Sequence, residues 1–279
     1  MSGEHREIDV VFQGEPKAVS AHQIDGFLVD PGPESSVATL LEALGDERPR
    51  GVLLTHIHLD HAGAAGALVE RWPDLQVWVH HNGARHVIDP SRLVASATRI
   101  YGDAMERLWG RIVPVPETNV RILEDDGFAE GLRWAWTPGH AVHHVAYLHE
   151  ASGIAFAGDV AGVRIADGPL LPPTPPPDID VEAWHRSIDV LAGWDPAALA
   201  ITHFGTFTDV TAQLGGLHTE LDRWADVARH EDQDGFEREI RGALAGSSEE
   251  HGYLKAMPPE TLYGGLARYW RNRDTGAET

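Results

Sequence analysis

The chain has no cysteine among its 279 residues. It therefore cannot form a disulfide, offer a thiolate to a metal, or use a cysteine nucleophile. Basic residues are also few, with 22 Lys and Arg against 43 Asp and Glu and a net charge of -21. We expect no nucleic-acid partner, because phosphate binding depends on clustered lysine and arginine.

Long apolar runs are missing as well. No stretch approaches the roughly 20 residues that cross a membrane, so no membrane partner is expected. Residues 1–7 lack the basic region and apolar core of a signal peptide, and the expected location is the cytoplasm. With 42% hydrophobic content, the chain can bury one large core or a catalytic domain with a small appendage.

The most informative segment that is present reads THIHLDHAG and runs from Thr55 to Gly63, directly after an apolar run. It contains four candidate ligands, which are His56, His58, Asp60 and His61. Imidazole and carboxylate suit zinc, iron or manganese, and residues two apart on an extended segment point to the same side. A solvated histidine-rich loop would not need apolar residues between the polar ones, so the segment predicts metal binding.

The spacing within this segment suggests two metal ions. His56 and His58 can share one ion, whereas Asp60 and His61, turned by the onset of a helix, point toward a neighbouring position. Two ions usually need at least three protein ligands each, with a shared bridge. Further ligands must therefore come from elsewhere in the chain.

Three later apolar runs each end on a side chain that can bind a metal. These side chains are His140 after Pro-Gly, Asp159 after Gly, and His203 after Thr. Open sheets place their sites at the carboxyl ends of strands. One such histidine alone would more often be structural, but four runs with the same pattern favour a common site.

The order of these motifs resembles the metallo-β-lactamase fold superfamily over roughly residues 8 to 205, and within it the glyoxalase-II-like hydrolases most. The motifs are HxHxDH, then TPGH, then GD, then a late TH. The resemblance implies an α/β (α+β) fold, a four-layer αββα sandwich. It also implies that Asp30, in the early segment DPG, supports the ligands from behind.

Carried over by position, the resemblance implies seven metal ligands. His56, His58 and His140 would hold one metal; Asp60, His61 and His203 would hold the other; Asp159 would bridge them. The expected cofactors are two divalent ions, zinc first, with iron or manganese as alternatives.

The chain is predicted to contain a catalytic domain over residues 1–207 and a helical appendage over residues 208–279. Apolar residues recur at three- and four-residue spacing in the last part of the chain, which indicates helices. So short an appendage should pack on the sandwich. Earlier in the chain we also predict helices, which are Ser35 to Leu44 capped by Ser35 or Ser36, His61 to Trp72, Ala84 to Asp89, Ser91 to Trp109, and one that begins near Val181.

Several residues near the expected site have two readings. The proline-rich segment 168–177 either walls the substrate cleft or is a stiff connector. His143 and His144 orient substrate or hydrogen-bond a ligand, and neither role is decided by sequence. Arg268, Arg271 and Arg273 could bind an anionic substrate tail, although we prefer the interpretation that they form a solvated face. His80 and His81 are interpreted as structural or surface residues.

The implied activity is hydrolysis of a thioester, ester or lactone of a small molecule. Two cations about 3.5 to 4 Å apart can bind one water and lower its pKa from about 15.7 toward about 7, which supplies hydroxide. That bridging hydroxide would attack the carbonyl. Asp60 or Asp159 would orient it and relay its proton.

The main alternative is a mononuclear iron persulfide dioxygenase, because such enzymes resemble glyoxalase II while using one iron. Metal count and oxygen uptake separate the two. A flavodiiron oxidoreductase is disfavoured because that pattern has glutamate where His58 stands, and a non-catalytic metal scaffold because the ligand set is full. A homodimer is expected only from the general frequency of symmetric oligomers. The sequence does not identify the substrate or the native metal.

Overall fold

The computed structural model describes residues 4–276. Residues 1–3 and 277–279 lie outside the described residues. They include the ends of the two predicted domains and the first part of the segment 1–7. Two six-stranded sheets face each other, and helices cover both outer faces.

The first sheet has the spatial order β1-β2-β3-β4-β5-β6. Its strands are β1 (Arg6–Asp9), β2 (Ser20–Ile24), β3 (Phe27–Val29), β4 (Gly51–Leu53), β5 (Val77–His80) and β6 (Val120–Leu123). The first three strands pair antiparallel, and β3 to β6 pair parallel. Parallel neighbours need crossover connections, which here contain the helices of the first outer layer.

The second sheet has the order β12-β11-β10-β9-β8-β7. Its strands are β7 (Asp126–Ala129), β8 (Leu132–Trp136), β9 (Val145–His149), β10 (Ile154–Phe156), β11 (Ala198–Ile201) and β12 (Gly205–Phe207). All neighbours pair antiparallel except β10 and β11. Strands β8, β10 and β11 therefore run in the same direction and end at the same edge.

Helices form the two outer layers. Those in the first half of the chain are α1 (Val37–Leu44), α2 (Leu59–Ala62), α3 (Ala65–Arg71), α4 (His81–Ile88), α5 (Ser91–Tyr101) and α6 (Met105–Trp109). Those in the second half are α7 (Val181–Gly193), α8 (Val210–His230), α9 (Gln233–Leu244), α10 (Glu250–Ala256) and α11 (Pro259–Thr275).

Three apolar cores lie between the four layers. The central core joins the sheets, with Leu53 and Trp78 from the first sheet packed with Trp134 and Tyr147 from the second. A second core lies between the first sheet and α1 to α6, and a third between the second sheet and α7 to α11. The predicted four-layer αββα sandwich is confirmed.

The C-terminal helices share the third core with the second sheet. Leu217 and Trp224 of α8 and Leu266 of α11 are buried in one cluster with Leu199 and Ile201 of β11. These helices therefore pack on the sandwich as expected, while the division of the chain into two domains stays a prediction.

Across residues 4–276, no helix combines the length and the apolar character that crossing a membrane would require.

The helix predictions need three corrections. The helix predicted from Ser35 starts at Val37. Ser36 occupies the N-cap position but its side chain makes no capping hydrogen bond, and Ser35 Oγ donates to the Leu108 carbonyl at 2.6 Å. The helix predicted to begin at His61 is two short helices, α2 and α3. The long helix predicted from Ser91 is also divided, because Gly102 at φ +51° ends α5.

Candidate metal centre

The first candidate cluster brings together residues from both sheets. His56 and His58 follow β4, His140 follows β8, and Asp159 follows β10. His58 Nδ1 lies 2.9 Å from His56 Nε2 and 3.0 Å from His140 Nε2, and Asp159 Oδ2 lies 3.2 Å from His140 Nε2. One ligand atom from each of the four residues lies within 4.8 Å of the others.

The second candidate cluster lies beside the first and consists of Asp60, His61 and His203. Asp60 and His61 belong to α2, and His203 follows β11. The Asp60 Oδ2 atom lies 3.3 Å from His203 Nε2 and 3.9 Å from His61 Nε2. The three side chains thus point at a common position, as the sequence predicts.

Asp159 contacts both clusters, one with each oxygen. Oδ2 faces His140, whereas Oδ1 lies 3.2 Å from His61 Nε2 and 3.6 Å from His203 Nε2. This is the position expected of a residue shared by two metal ions.

Hydrogen bonds behind the rings fix the direction of three imidazoles. His140 Nδ1 donates to the Pro173 carbonyl at 2.9 Å, and His203 Nδ1 donates to the Ala18 carbonyl at 2.7 Å. His61 Nδ1 lies 2.9 Å from an Asp30 carboxylate oxygen. A metal-binding histidine usually donates its second ring N–H in this way, which leaves Nε2 as the free donor atom.

Asp30 is the support expected from the sequence. Its carboxylate accepts hydrogen bonds from the Thr55 amide at 2.8 Å, the Thr55 hydroxyl at 2.7 Å and the Thr202 hydroxyl at 3.0 Å, besides its contact with His61. It is fully buried. Asp30 therefore ties the ends of β3, β4 and β11 together behind the ligands.

Two glycines allow the backbone to reach the site. Gly139 has φ +128°, and a Cβ there would lie 2.3 Å from the Trp184 backbone. Gly158 has φ +47°, and a Cβ there would lie 2.5 Å from Thr55 Oγ1. Each precedes a candidate ligand, so the Pro-Gly-His and Gly-Asp patterns reflect close packing as well as turns.

The first cluster favours neutral imidazoles. Burial lowers the pKa of His56 and His58, and it lowers the pKa of His140 to about 4. These rings are therefore uncharged near pH 7, which is the form that binds cations.

The second cluster shows the opposite shift because carboxylates surround it. Although burial opposes the change, Asp159 and Asp60 raise the pKa of His61 and of His203. Against the effect of burial, His61 in turn lowers the pKa of Asp159 and of Asp60. The pocket thus stabilises positive charge next to ionised carboxylates.

The donor set fits two divalent cations. The His61 Nε2 and Asp159 Oδ1 atoms are buried without a hydrogen-bond partner among the described residues, and such atoms are costly unless they bind something. In the first cluster, neighbouring ligand atoms lie 2.9 to 3.2 Å apart, so imidazole and carboxylate groups that suit a divalent cation converge there.

A cleft of about 360 Å³ opens beside the two clusters. Asp60 and His58, the two ligand candidates that are only partly buried, reach its wall. Pro173 and residues 175–177 form another part of the wall, as one of the two readings of the proline-rich segment predicts, and the segment also connects to α7. The Pro173 carbonyl also orients His140, so this segment acts on the ligands directly.

The two neighbouring histidines have different surroundings. His143 lines the cleft, and its buried Nδ1 has no hydrogen-bond partner among the described residues. His144 lies behind the first cluster, where its Nδ1 is 2.8 Å from Thr137 Oγ1. His143 is therefore placed to meet a substrate, and His144 packs against the candidate ligand His56, with ring centroids 5.1 Å apart.

A third cluster, which consists of His80, His81 and Asp125, lies near the surface. His80 Nδ1 accepts the Asn82 amide as the cap of α4, so in the neutral ring the proton sits on Nε2. That atom lies 3.2 Å from an Asp125 oxygen and donates to it. A protonated Nε2 is not a metal ligand, which agrees with the structural role expected for His80.

Sequence reasoning missed the cationic side chains of the cleft, which are Arg85, Arg92 and Lys255. They lie on helices without a motif. It also assigned no role to the threonines of the motifs: Thr55 and Thr202 donate hydrogen bonds to Asp30, and both are buried. Their repeated place at strand ends was a usable signal.

The chain matches the family model described as the metallo-beta-lactamase superfamily over residues 23–203. It is 26% identical over 273 residues to a hydroxyacylglutathione hydrolase of Ectopseudomonas mendocina (strain ymp). The aligned region covers 88% of this chain and 89% of that protein. Its fold is similar to the solved structure of ST1585 from Sulfolobus tokodaii, an archaeal metallo-beta-lactamase superfamily protein. That similarity has a TM-score of 0.69 and 22% identity, and covers 94% of this chain and 97% of that chain. TTHA1429 from Thermus thermophilus, a metallo-beta-lactamase family protein, gives a TM-score of 0.66 and 20% identity, and covers 99% of this chain and 94% of that chain.

Proposed function

The chain belongs to the metallo-beta-lactamase superfamily, and we propose that it is a dinuclear metal-dependent hydrolase that cleaves a thioester, ester or lactone. The observation that carries this proposal is the position of Asp159, whose two oxygens face two separate groups of histidines. The alternative, a dioxygenase with one iron, keeps much of the same motif, so the number of bound metal ions separates the two functions. The relative named hydroxyacylglutathione hydrolase supports the same reaction class.

In this proposal His56, His58 and His140 hold one cation, Asp60, His61 and His203 hold the other, and Asp159 holds both. We propose zinc, with iron or manganese as the alternatives, because the donors are imidazole and carboxylate without sulfur. When bound, divalent cations supply acidified water and stabilise negative charge on an oxygen.

The chain's own residues then position the reactants and move protons. Asp60 is partly exposed to the cleft and ionised, so it accepts a proton from the attacking water. Water adds to the carbonyl carbon, the bond from that carbon to sulfur or oxygen breaks, and the leaving group takes a proton. His143, with its free ring nitrogen on the cleft wall, can hydrogen-bond the substrate.

The test combines elemental analysis with turnover of a panel of thioesters, lactones and phosphodiesters. We expect about two metal ions per chain and hydrolysis of an acyl substrate. His58→Ala should lower metal content and abolish hydrolysis together, because it removes a ligand of the first cluster. Retained activity in a metal-depleted variant would overturn the mechanism.

The matched control is His81→Ala, which removes a more exposed histidine outside both clusters. It should retain metal content and activity. One iron per chain together with oxygen uptake in the presence of a persulfide would replace the hydrolase with the dioxygenase.

A further inference from the structure

The cleft presents an apolar wall to solvent. Helix α5 contributes Leu93, Ala97, Ile100 and Tyr101, which lie on one face at helical spacing. Ile100 is 45% exposed, as is Val142, which also lines the cleft. A large apolar side chain is informative when it lines a concave surface, because such surfaces commonly bind ligands.

The apolar wall begins at a cation. Arg92 lies at the start of α5 and also lines the cleft. From Arg92 to Tyr101 the helix rises about 13 Å. Tyr101, at the other end of the helix, lines the same cleft as Asp60 of the second cluster. The apolar wall therefore shares the cleft with a candidate metal ligand and with a guanidinium group.

The cations of the cleft lack carboxylate partners. Within residues 4–276, no carboxylate oxygen lies within ion-pair distance of Arg85, Arg92 or Lys255. Arg85 Nε donates to His86 Nε2 at 3.0 Å, and Lys255 Nζ reaches only the Gln13 amide oxygen at 3.5 Å.

The positive charges of Arg85 and Arg92 both act on His86. Burial first, and then the two guanidinium charges, lower the pKa of His86, which lies on the cleft wall between them in sequence. Asp178, which also lines the cleft, and Asp89, whose charge acts on Arg92 as well, partly offset these charges. In a chain of net charge -21, two unpaired guanidinium groups beside one histidine form a local site for an anion.

We propose that the substrate is an amphipathic acyl ester or thioester, with an apolar chain along the α5 wall and an anionic group held by Arg85 and Arg92. This inference rests on the proposed hydrolase function and specifies its substrate class. The apolar chain covers Ile100 and Val142. The anionic group, a carboxylate or a phosphate, accepts hydrogen bonds from the guanidinium groups that lack a carboxylate partner.

The first experiment varies chain length. Acetyl, butanoyl, hexanoyl and octanoyl thioesters of one neutral thiol are hydrolysed by the metal-loaded protein. We expect kcat/KM to rise about fourfold for each methylene until the wall is filled. Equal rates for acetyl and octanoyl substrates would overturn the apolar part of the inference while leaving the hydrolase function intact. No turnover of any thioester, ester or lactone would instead reject the function itself.

A matched pair of variants localises the chain. Ile100→Ser should lower kcat/KM for the octanoyl thioester about five- to tenfold and leave the acetyl thioester nearly unchanged. Ile122→Ser replaces another exposed isoleucine, 54% exposed and outside the cleft, and should change neither. Equal losses for both substrates in Ile100→Ser would indicate a structural effect and contradict the assignment.

The second experiment tests the anionic group. Hexanoyl thioesters of a carboxylated thiol and of a neutral thiol of the same size are compared, together with a hexanoyl chain that carries a terminal carboxylate. We expect at least one carboxylated substrate to have a lower KM than its neutral match. Arg92→Gln and Arg85→Gln should each remove about fivefold of that preference.

Arg99→Gln is the control for this experiment, because Arg99 lies exposed on the same helix but does not line the cleft. It should leave the preference unchanged. Equal KM values for carboxylated and neutral substrates, or the same effect in all three arginine variants, would overturn the anionic part of the inference.

Discussion

Asp30 is not expected to bind a metal, but its hydrogen bonds hold parts of the candidate metal centre in position. It accepts hydrogen bonds from Thr55 and Thr202 and holds the Nδ1 side of His61. Through these contacts one carboxylate fixes two strand ends and one ligand ring. A buried network of this kind is stable only when each polar group is satisfied.

Replacing this carboxylate should weaken metal binding. In Asp30→Asn, one oxygen becomes an amide that donates, so the hydrogen bonds from Thr55, Thr202 and His61 cannot all be kept. We expect a 10- to 100-fold loss of metal affinity, the usual cost of removing a partner of a ligating histidine. Competition with a chelator measures it.

The control for this prediction is Asp25→Asn. It changes another aspartate that contacts a histidine, with Asp25 Oδ2 at 2.9 Å from His149 Nε2, at a position outside both clusters. Metal affinity should stay within about twofold of the parent. A similar loss in both variants would contradict a specific role for Asp30.

Gly158→Ala should disturb the same centre by collision. The added methyl group would meet Thr55 Oγ1 at 2.5 Å and His144 Nε2 at 2.8 Å, in a backbone conformation that costs an alanine about 1 to 2 kcal/mol. Asp159, the next residue, would move away from the clusters. We therefore expect loss of at least one metal ion per chain, measured by elemental analysis.

Gly246→Ala separates collision from backbone strain. Gly246 also has positive φ, +86°, but a Cβ there would meet no atom within 4 Å. This variant should lose about 1 to 2 kcal/mol of stability and keep its full metal content. Intact metal binding in Gly158→Ala would show that the position tolerates a methyl group.

At the scale of helices and strands, the sequence predicted the positions of the candidate ligands better than it predicted the helices and strands themselves. All seven candidate ligands come together as the motifs predict, because each lies shortly after a strand whose apolar residues mark it in the sequence. Strands β7 and β12 and helix α10 were not predicted, because each is short and has no such signal. The cleft cations were missed because a cation on a helix surface acquires its role only when other elements pack around it.

Strand β2 carries a buried histidine that should make folding depend on pH. His22 donates to the Ile201 carbonyl of the facing sheet at 3.1 Å, and burial lowers its pKa to about 4. Between about pH 6.5 and pH 4 the unfolded chain binds a proton at this residue and the folded chain does not. Stability is therefore lost as the pH falls through this window, by up to about 3 kcal/mol.

His22→Gln tests this dependence because the glutamine amide can still donate to Ile201 but does not titrate. Urea unfolding of the metal-free protein at pH 7.5 and pH 4.5 should show a smaller loss of stability in the variant than in the parent. His230→Gln, at an exposed position, should behave as the parent. An unchanged pH dependence in His22→Gln would disprove the prediction.

At the scale of the whole molecule, the sandwich sets the site and the C-terminal helices help to define the cleft. The ligands lie at the edge where β3, β4, β8, β10 and β11 end, so both sheets must dock before the clusters form. Lys255 and Leu262, near the ends of α10 and α11, line the cleft. The arginines of α11 do not line it: Arg273 pairs with Glu182, which supports the solvent-facing role preferred for that face.

The shared third core predicts that the C-terminal helices and the sandwich unfold together. Trp224 and Leu266 are buried against the same cluster as Leu199 of the second sheet, so separating the helices would expose apolar surface on both sides. The similarity to ST1585 covers 94% of this chain, so most of these helices have counterparts in that structure. We expect a single calorimetric transition, with a van't Hoff enthalpy equal to the calorimetric enthalpy. A chain ending at residue 207 should lack a cooperative transition, whereas two separate transitions in the full chain would establish residues 208–279 as an independent domain.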